Sequence, residues 1–232
     1  MGIEIKIIQE NFKIFATRKN FIKFVVTVCL FIMTVTAYGQ KPKSNYLIAF
    51  ADTSSGNLMY GYKTPDGKIA ITAKYAEVDR DTLYNIAMVI KSTYNYEWIA
   101  INSRDSIILK PFIYDNAPDD LQEGLFRFTE QGKLGFANSM GEKIIPAMFD
   151  FVSPFKNGIA AFILGGHKVK DGEHWFWSGG YADGYINKSG QIFNKINSFK
   201  GNFAVAFTNY NHPVLINKKG EVVKKLGANK VQ

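Results

Sequence analysis

The sequence is poor in the residues that most catalytic and metal-binding sites require. Its 232 residues include one cysteine, Cys29, and three histidines, His167, His174 and His212. A single cysteine cannot form an intrachain disulfide or a cysteine-based zinc site. The sequence also has neither an HExxH motif nor a GxSxG motif. We therefore predict a protein that is not an enzyme and that binds no cofactor and no metal.

Concentrated blocks of like charge are missing as well. The net charge is +8, but the lysines are dispersed among predicted turns. Dispersed lysines keep the surface of a β-protein soluble and its sheet edges unpaired. A nucleic-acid-binding protein instead concentrates its basic residues on one face. We therefore expect no nucleic acid among the partners.

The apolar run without a charge at residues 24–36 follows the basic residues Lys19 and Lys23. Small residues at positions 37 and 39 end the run with the spacing that a signal peptidase recognises. The pattern predicts a signal peptide over residues 1–39 and a periplasmic or secreted protein. An uncleaved membrane anchor is the alternative, although a bilayer span needs about 20 apolar residues. After cleavage we expect no stable membrane span.

The chain contains an internal repeat, and residues 131–162 are its clearest copy. In that copy Asn138 and Gly141 bound a predicted turn, because Asn and Gly adopt positive φ most readily. A second predicted strand ends at Pro146, which has no N–H for a sheet ladder. Gly158 then opens a turn before a third strand. The same turn chemistry recurs at residues 64–67, 102–105, 187–190 and 217–220.

The repeat predicts an all-β fold made of three-stranded antiparallel units. One unit cannot bury its own apolar face, so neighbouring copies must stack into a single β-repeat domain. We place this domain at residues 40–223, with about five copies of which the first and last are partial. A tail follows at residues 224–232. A propeller blade needs about four strands in 40–45 residues, so an open or partly rolled stack is favoured.

The clearest copy resembles the WG-repeat family of bacterial proteins. Repeats of that family have the sequence pattern Gly, aromatic, x, Asn, x, x, Gly. Ile and Pro follow, then an aromatic residue with Asp, and finally Phe, x, x, Gly, aliphatic, Ala. The residues that match this pattern are Gly135, Phe136, Asn138, Gly141, Ile145, Pro146, Phe149, Asp150, Phe155, Gly158 and Ala160, and Gly184, Asn187 and Gly190 follow in the next copy. The Trp that precedes the first Gly in the family is absent. The resemblance implies a diverged β-repeat protein in which these residues are structural.

About fifteen residues are inserted between Phe162 and Gly184, compared with the corresponding link of the preceding copy. Insertions in repeat proteins form loops that often lie on the binding face. In this insertion Trp175, Trp177 and Tyr181 alternate along a predicted strand, so they are expected to point to one side. Flat aromatic faces suit sugars or an apolar peptide. The alternative is that the tryptophans only pack a longer hairpin against the core.

His167 and His174 lie seven positions apart in the same insertion and are predicted to face each other across a hairpin. Together with the aromatic residues they are candidate ligand-binding residues. The alternative is a pair of exposed loop histidines, because zinc needs three or four ligands.

Acidic residues gather just before the clearest copy, at Asp115, Asp119, Asp120 and Glu123. Their oxygens would suit calcium if they converged, but no EF-hand spacing accompanies them. The alternative is that they are ordinary turn and cap residues.

The sequence therefore favours an exported, non-enzymatic interaction module that binds a protein or a surface polymer. A carbohydrate or cell-wall binding protein that uses the aromatic insertion at residues 165–181 is the alternative. A hydrolase with an unusual carboxylate pair is a weaker third hypothesis.

Overall fold

The computed structural model describes residues 46–91, 94, 96–114, 116–208 and 212–227, and the helical residues 6, 9–11, 13 and 16–20. The apolar run at residues 24–36 and the predicted cleavage site lie outside the described residues. Within them, no helix is long and apolar enough to cross a membrane. Antiparallel strands make up most of the described chain, which confirms the all-β prediction.

The first ten strands are β1 Leu47–Asp52, β2 Met59–Lys63, β3 Ile69–Tyr75, β4 Glu77–Val78, β5 Thr82–Leu83, β6 Ile86–Ile90, β7 Trp98–Asn102, β8 Ile107–Pro111, β9 Ile113–Tyr114 and β10 Ala117–Pro118. The next ten are β11 Leu125–Glu130, β12 Lys133–Asn138, β13 Lys143–Phe149, β14 Phe151–Val152, β15 Ile159–Asp171, β16 His174–Asn187, β17 Ile192–Ile196, β18 Phe203–Thr208, β19 Pro213–Asn217 and β20 Val222–Lys225.

The chain divides into two compact units. The N-terminal unit comprises Lys19–Asp120 and Ala137–Glu142, and the C-terminal unit comprises Met1–Arg18, Leu121–Phe136 and Lys143–Gln232. The predicted boundaries of the signal peptide, the repeat domain and the tail stay predictions.

The N-terminal unit has a sheet with the strand order β3-β2-β1-β5 and a second series with the order β8-β7-β6-β4. Their apolar side chains meet in one core, in which Tyr62, Leu83 and Ile101 are fully buried. In the C-terminal unit β14 to β20 form a seven-stranded antiparallel sheet in chain order. Its core includes Phe193 and Ile216. All sheets of the described residues are open, as the repeat predicted.

The five predicted repeat turns share one hydrogen-bond pattern. In each, the N–H of the fourth residue donates to the carbonyl oxygen of the first, at 2.8 to 3.0 Å. The fourth residue has positive φ, and it is glycine in four turns and Asp105, with φ of 62°, in the second. In four turns the first residue is Asn, whose Oδ1 accepts the N–H groups two and four positions later. The predicted turns are confirmed.

The prediction that Pro146 ends the second strand is wrong, because β13 continues through it to Phe149. The reason lies on the facing strand. A Cβ on Gly135 would lie 2.7 Å from the carbonyl carbon of Pro146. Gly61, at the same repeat position, is equally close to a bulge in β3, where the pairing shifts between Tyr60 and Tyr62. A proline is tolerated at such a bulge because the ladder does not use its missing N–H.

Copies that are two apart in sequence contact each other through their turns. In the N-terminal unit, a Cβ on Gly141 of the third turn would lie 2.9 Å from Ile86, the first residue of β6, which follows the first turn. In the C-terminal unit, a Cβ on Gly220 of the fifth turn would lie 2.9 Å from Ile159, the first residue of β15, which follows the third. The third and fifth turns are therefore part of the packing between copies.

Candidate functional site

The insertion predicted after Phe162 forms a long two-stranded hairpin in the C-terminal unit. β15 and β16 have 13 and 14 residues, and they are joined by the two-residue turn of Gly172 and Glu173. Gly172 has φ of 60°, which a glycine adopts without strain. We call residues 165–180 the hairpin extension, because here the two strands of the hairpin continue further than the corresponding strands of the other copies.

A β-bulge separates the hairpin extension from the repeat core. Leu164 pairs with Ala182, whereas Gly165 pairs with Gly180, so Tyr181 is an extra residue without a partner on β15. Its ring lies over Gly165, where a Cβ would be 2.4 Å from the ring. Tyr181 is 65% exposed. The predicted alternation of the three aromatic residues therefore holds for Trp175 and Trp177 but not for Tyr181, because the bulge interrupts it.

Trp177 anchors the base of the hairpin extension. Its indole Nε1–H donates a hydrogen bond of 2.8 Å to the carbonyl oxygen of Gly165. Its ring stacks on Phe151 of β14 with the centroids 5.9 Å apart and the planes at 23°. These contacts match the packing alternative for this tryptophan.

Trp175 has different surroundings, nearer the tip. Its side chain is 52% exposed. The Nζ atoms of Lys168 and Lys170 lie 4.4 and 5.7 Å from the centroid of its ring. Lys170 is the cross-strand partner of Trp175, and Lys168 is the partner of Trp177. Because side chains alternate along a strand, Trp175, Trp177 and both lysines belong to one face, which we call the Trp175 face.

The opposite face of the hairpin extension contains Phe176 opposite Val169 and His167 opposite Ser178. Phe176 is 50% exposed. His174 pairs with Asp171, four cross-strand pairs away from His167, so the prediction that the histidines face each other is wrong. The register depends on the turn at positions 172 and 173, which determines the partner of each histidine.

Asp150 holds the base of the hairpin extension from outside it. Its Oδ2 accepts the backbone N–H of Gly165 at 2.6 Å, and its Oδ1 accepts a bond of 2.6 Å from Lys133 Nζ. We did not predict this role. The available signal was the position of Asp150 after an aromatic residue of the repeat, but its contact with Gly165 depends on tertiary structure.

The repeat residues identified from the sequence form the interior. Phe136, Ile145, Phe149 and Ala160 are buried. Asn187 is 3% exposed, and its Nδ2 donates to the carbonyl oxygen of Gly220 at 2.8 Å. Gly158 and Gly190 have φ of 73° and 82°, and Gly184 lies against Phe193 and Phe162.

The acidic residues before the clearest copy do not gather into a metal site in the described part of the chain. No group of three or more Asp, Glu, His or Cys residues there could hold an ion. Glu123 instead accepts the N–H of Gly158 at 3.0 Å and pairs with Lys188 at 3.0 Å. Asp115 lies outside the described residues. The contacts of Glu123 match the alternative of a turn residue.

In the N-terminal unit, the second repeat turn contains a partly buried acid–phenol contact. The Tyr75 hydroxyl donates to Asp105 at 2.5 Å, and Lys74 pairs with the same carboxylate. Burial raises the pKa of Tyr75 above its usual value, and the bond to the Asp105 carboxylate raises it further. The aspartate at this turn position thus makes contacts that a glycine cannot.

Recesses of about 400 and 650 Å³ lie in the C-terminal unit. The first is lined partly by His212, Thr208 and Gln191. The second lies between repeat turns, and both lysines and glutamates line it, including the paired Lys188 and Glu123. The first lining is mainly apolar and neutral, with Lys225 as its charged residue, whereas the second contains charges of both signs.

Residues 135–166 match the model of the family described as the WG containing repeat. The match begins at Gly135 and ends at the base of the hairpin extension, so it covers the clearest copy except for its first four residues. It confirms the WG-repeat resemblance inferred from that copy. A search of curated proteins found no match to the chain.

Proposed function

We propose that this WG-repeat chain is an exported, non-enzymatic interaction module that binds a protein or a surface polymer through the hairpin extension. The observation that supports this function is the exposure of aromatic side chains on both faces of the extension. Trp175 is 52% exposed and Phe176 is 50% exposed. Exposed aromatic groups of this kind are enriched at binding surfaces.

The contacts at the base of the extension support a binding role. Trp177 and Asp150 fix the base through hydrogen bonds to the carbonyl oxygen and N–H of Gly165. A binding surface gains affinity when its side chains are held in place before the ligand arrives, because less conformational entropy is lost on binding.

Export rests on the basic, apolar and small-residue pattern before residue 40. N-terminal sequencing of the chain recovered from the culture medium or periplasm tests it, with Gln40 as the expected first residue. Retention of the whole chain in the cytoplasm would contradict this part of the proposal.

A truncated hairpin tests the binding role. Lys168 and Trp177 are cross-strand partners, so residues 169–176 can be replaced by an Asn-Gly turn that joins them. This variant retains Trp177 and its contact with Phe151. We expect unchanged thermal unfolding and the loss of saturable binding to isolated cell envelopes. Equal envelope binding by the truncated and full chains would place the binding surface elsewhere.

A carbohydrate or cell-wall binding protein is the second candidate function. The observation that favours it is the half-exposed ring of Trp175, which lies under two lysine ammonium groups. On the same strand, Trp177 is held in place by its hydrogen bond to Gly165. Titration with soluble glycans, followed by tryptophan fluorescence, distinguishes this function from protein binding.

A further inference from the structure

We propose that the Trp175 face of the hairpin extension binds an acidic polysaccharide. This inference rests on the proposed function, and it specifies the ligand. It depends on three features of that face: a half-exposed indole ring, two lysine ammonium groups that lie over part of the ring, and a base held by hydrogen bonds to Gly165.

The ring supplies a surface for a sugar. The C–H groups on one side of a pyranose form a flat apolar patch, and an exposed indole is a large flat surface that can cover it. Trp175 is half exposed, whereas Trp177 on the same face is held by Gly165 and Phe151. Ligand contact is therefore expected at Trp175, with Trp177 as a positioning residue.

The cations select for an anionic ligand. Among the described residues, no carboxylate forms an ion pair with Lys168 or Lys170, whose ammonium groups lie beside the Trp175 ring. The nearby acids are elsewhere in the hairpin. Asp171 pairs with His174 on the opposite face, and Glu173 is in the turn. A carboxylate or sulfate on a sugar would thus meet two ammonium groups that no carboxylate of the described residues already pairs.

An acidic polysaccharide fits this face better than the other anionic polymers. An acidic peptide brings charge but no regular flat C–H face for the ring. A single-stranded nucleic acid needs a track of cations along its phosphates as well as stacking rings. Here only Lys168 and Lys170 stand beside the Trp175 ring among the described residues. A sugar acid has its flat face and its charge in one monomer.

The test uses the full exported chain and calorimetric titration with polygalacturonate, with a neutral β-glucan of similar length as the comparison. We expect saturable binding of polygalacturonate only. Trp175→Ala should weaken it about tenfold, which corresponds to roughly 1.4 kcal/mol of binding free energy. The double variant Lys168→Gln/Lys170→Gln should weaken it by a similar factor. Binding should decline in about 1 M salt, where the Debye length is about 3 Å.

Two control variants match these changes. Phe176→Ala removes an equally exposed aromatic residue from the opposite face, and Lys224→Gln/Lys225→Gln removes the same charge from β20. Neither should change affinity by more than about twofold, because neither lies on the Trp175 face. Circular dichroism and thermal unfolding check that every variant is folded.

Several outcomes would overturn the inference. One is that the neutral glucan binds as tightly as polygalacturonate. Another is that the β20 double variant loses as much affinity as the Lys168→Gln/Lys170→Gln variant. Tighter binding of a single-stranded oligonucleotide or of polyglutamate would identify a different class of ligand. If polygalacturonate does not bind while the truncated hairpin still abolishes envelope binding, the ligand assignment fails and the interaction module stands. If the truncation has no effect either, both proposals fail.

Discussion

The repeat turns and the hairpin extension use the same backbone conformations for opposite purposes. A Cβ on Gly158, before β15, would lie 1.9 Å from the carbonyl carbon of Lys219. A Cβ on Gly172, at the tip of the extension, would meet nothing within 4 Å. Both glycines have positive φ. The turn at Gly158 is thus packed against another copy, whereas the turn of the extension faces open space.

The repeat and the hairpin extension also differ in how far their aromatic side chains are exposed. The repeat buries its aromatic residues, such as Phe149 and Phe162, whose ring centroids are 5.0 Å apart. The extension exposes Trp175 and Phe176. Beyond the bulge between Leu164 and Gly165, Trp177 still packs on Phe151, whereas Trp175 and Phe176 nearer the tip are half exposed and available for other roles.

The largest expected difference in stability is between alanine substitutions at two glycines, one crowded by backbone atoms and one with no close neighbour. Gly158 and Gly124 occupy the same repeat position and both have positive φ, but a Cβ on Gly124 would meet nothing within 4 Å. Gly158→Ala should cost more than about 4 kcal/mol of unfolding free energy, because backbone must move. Gly124→Ala should cost about 1 kcal/mol, for φ alone. Urea unfolding measures the loss of unfolding free energy in both variants. Similar losses would refute the close contact between Gly158 and Lys219.

A smaller effect should separate the two tryptophans of the extension. Trp177→Ala removes a hydrogen bond and a stacked ring contact and should cost about 2 kcal/mol. Trp175→Ala removes a half-exposed side chain and should stay within about 0.5 kcal/mol. Thermal and urea unfolding provide the comparison. A large loss of stability with Trp175→Ala would mean that the whole extension is core.

The smallest effect concerns the second repeat turn, where an aspartate replaces glycine. The pKa of Tyr75 is raised in the folded state by burial and by Asp105. Above about pH 10 the unfolded state loses the phenolic proton first, so the unfolding free energy falls as the pH rises. Below that pH the contribution is complete. The Tyr75→Phe variant should lose less unfolding free energy than the parent chain as the pH rises, and the difference should stay below about 1.4 kcal/mol per pH unit.

Urea unfolding of the Tyr75→Phe variant and the parent chain between about pH 9 and 11 measures this difference. Tyr62 has a raised pKa for a similar reason, burial first, and it remains in both proteins. Identical pH slopes in the two proteins would show that the contact between Tyr75 and Asp105 does not favour the protonated phenol.

The turns were predictable from sequence because their chemistry is local. An Asn that accepts hydrogen bonds from residues two and four positions later, followed by a glycine with positive φ, needs no partner outside the turn. The closing strands followed from the spacing of those turns. The length of β13 was not predictable, because whether a strand continues through Pro146 depends on its pairing with the facing strand, which approaches it closely at Gly135.

The hairpin extension was predictable in position but not in geometry. The excess of residues after Phe162 located the hairpin, and the exposure of Trp175 agrees with a surface role. The role of Asp150 and the separation of His167 from His174 depend on cross-strand register. Register in this hairpin follows from its turn and its bulge, and one residue more or fewer changes every pair.

The bulge at Leu164 and Gly165 also separates the strand pairing of the hairpin extension from that of the repeat, so the extension can be replaced by another hairpin. The extra residue, Tyr181, sits where the strands leave the core, so the pairing beyond it does not determine the pairing within the repeat. A hairpin of another length or sequence can therefore be grafted between Gly165 and Gly180 while β16 keeps its pairing with β17. Such grafting would give new recognition surfaces on an unchanged repeat scaffold.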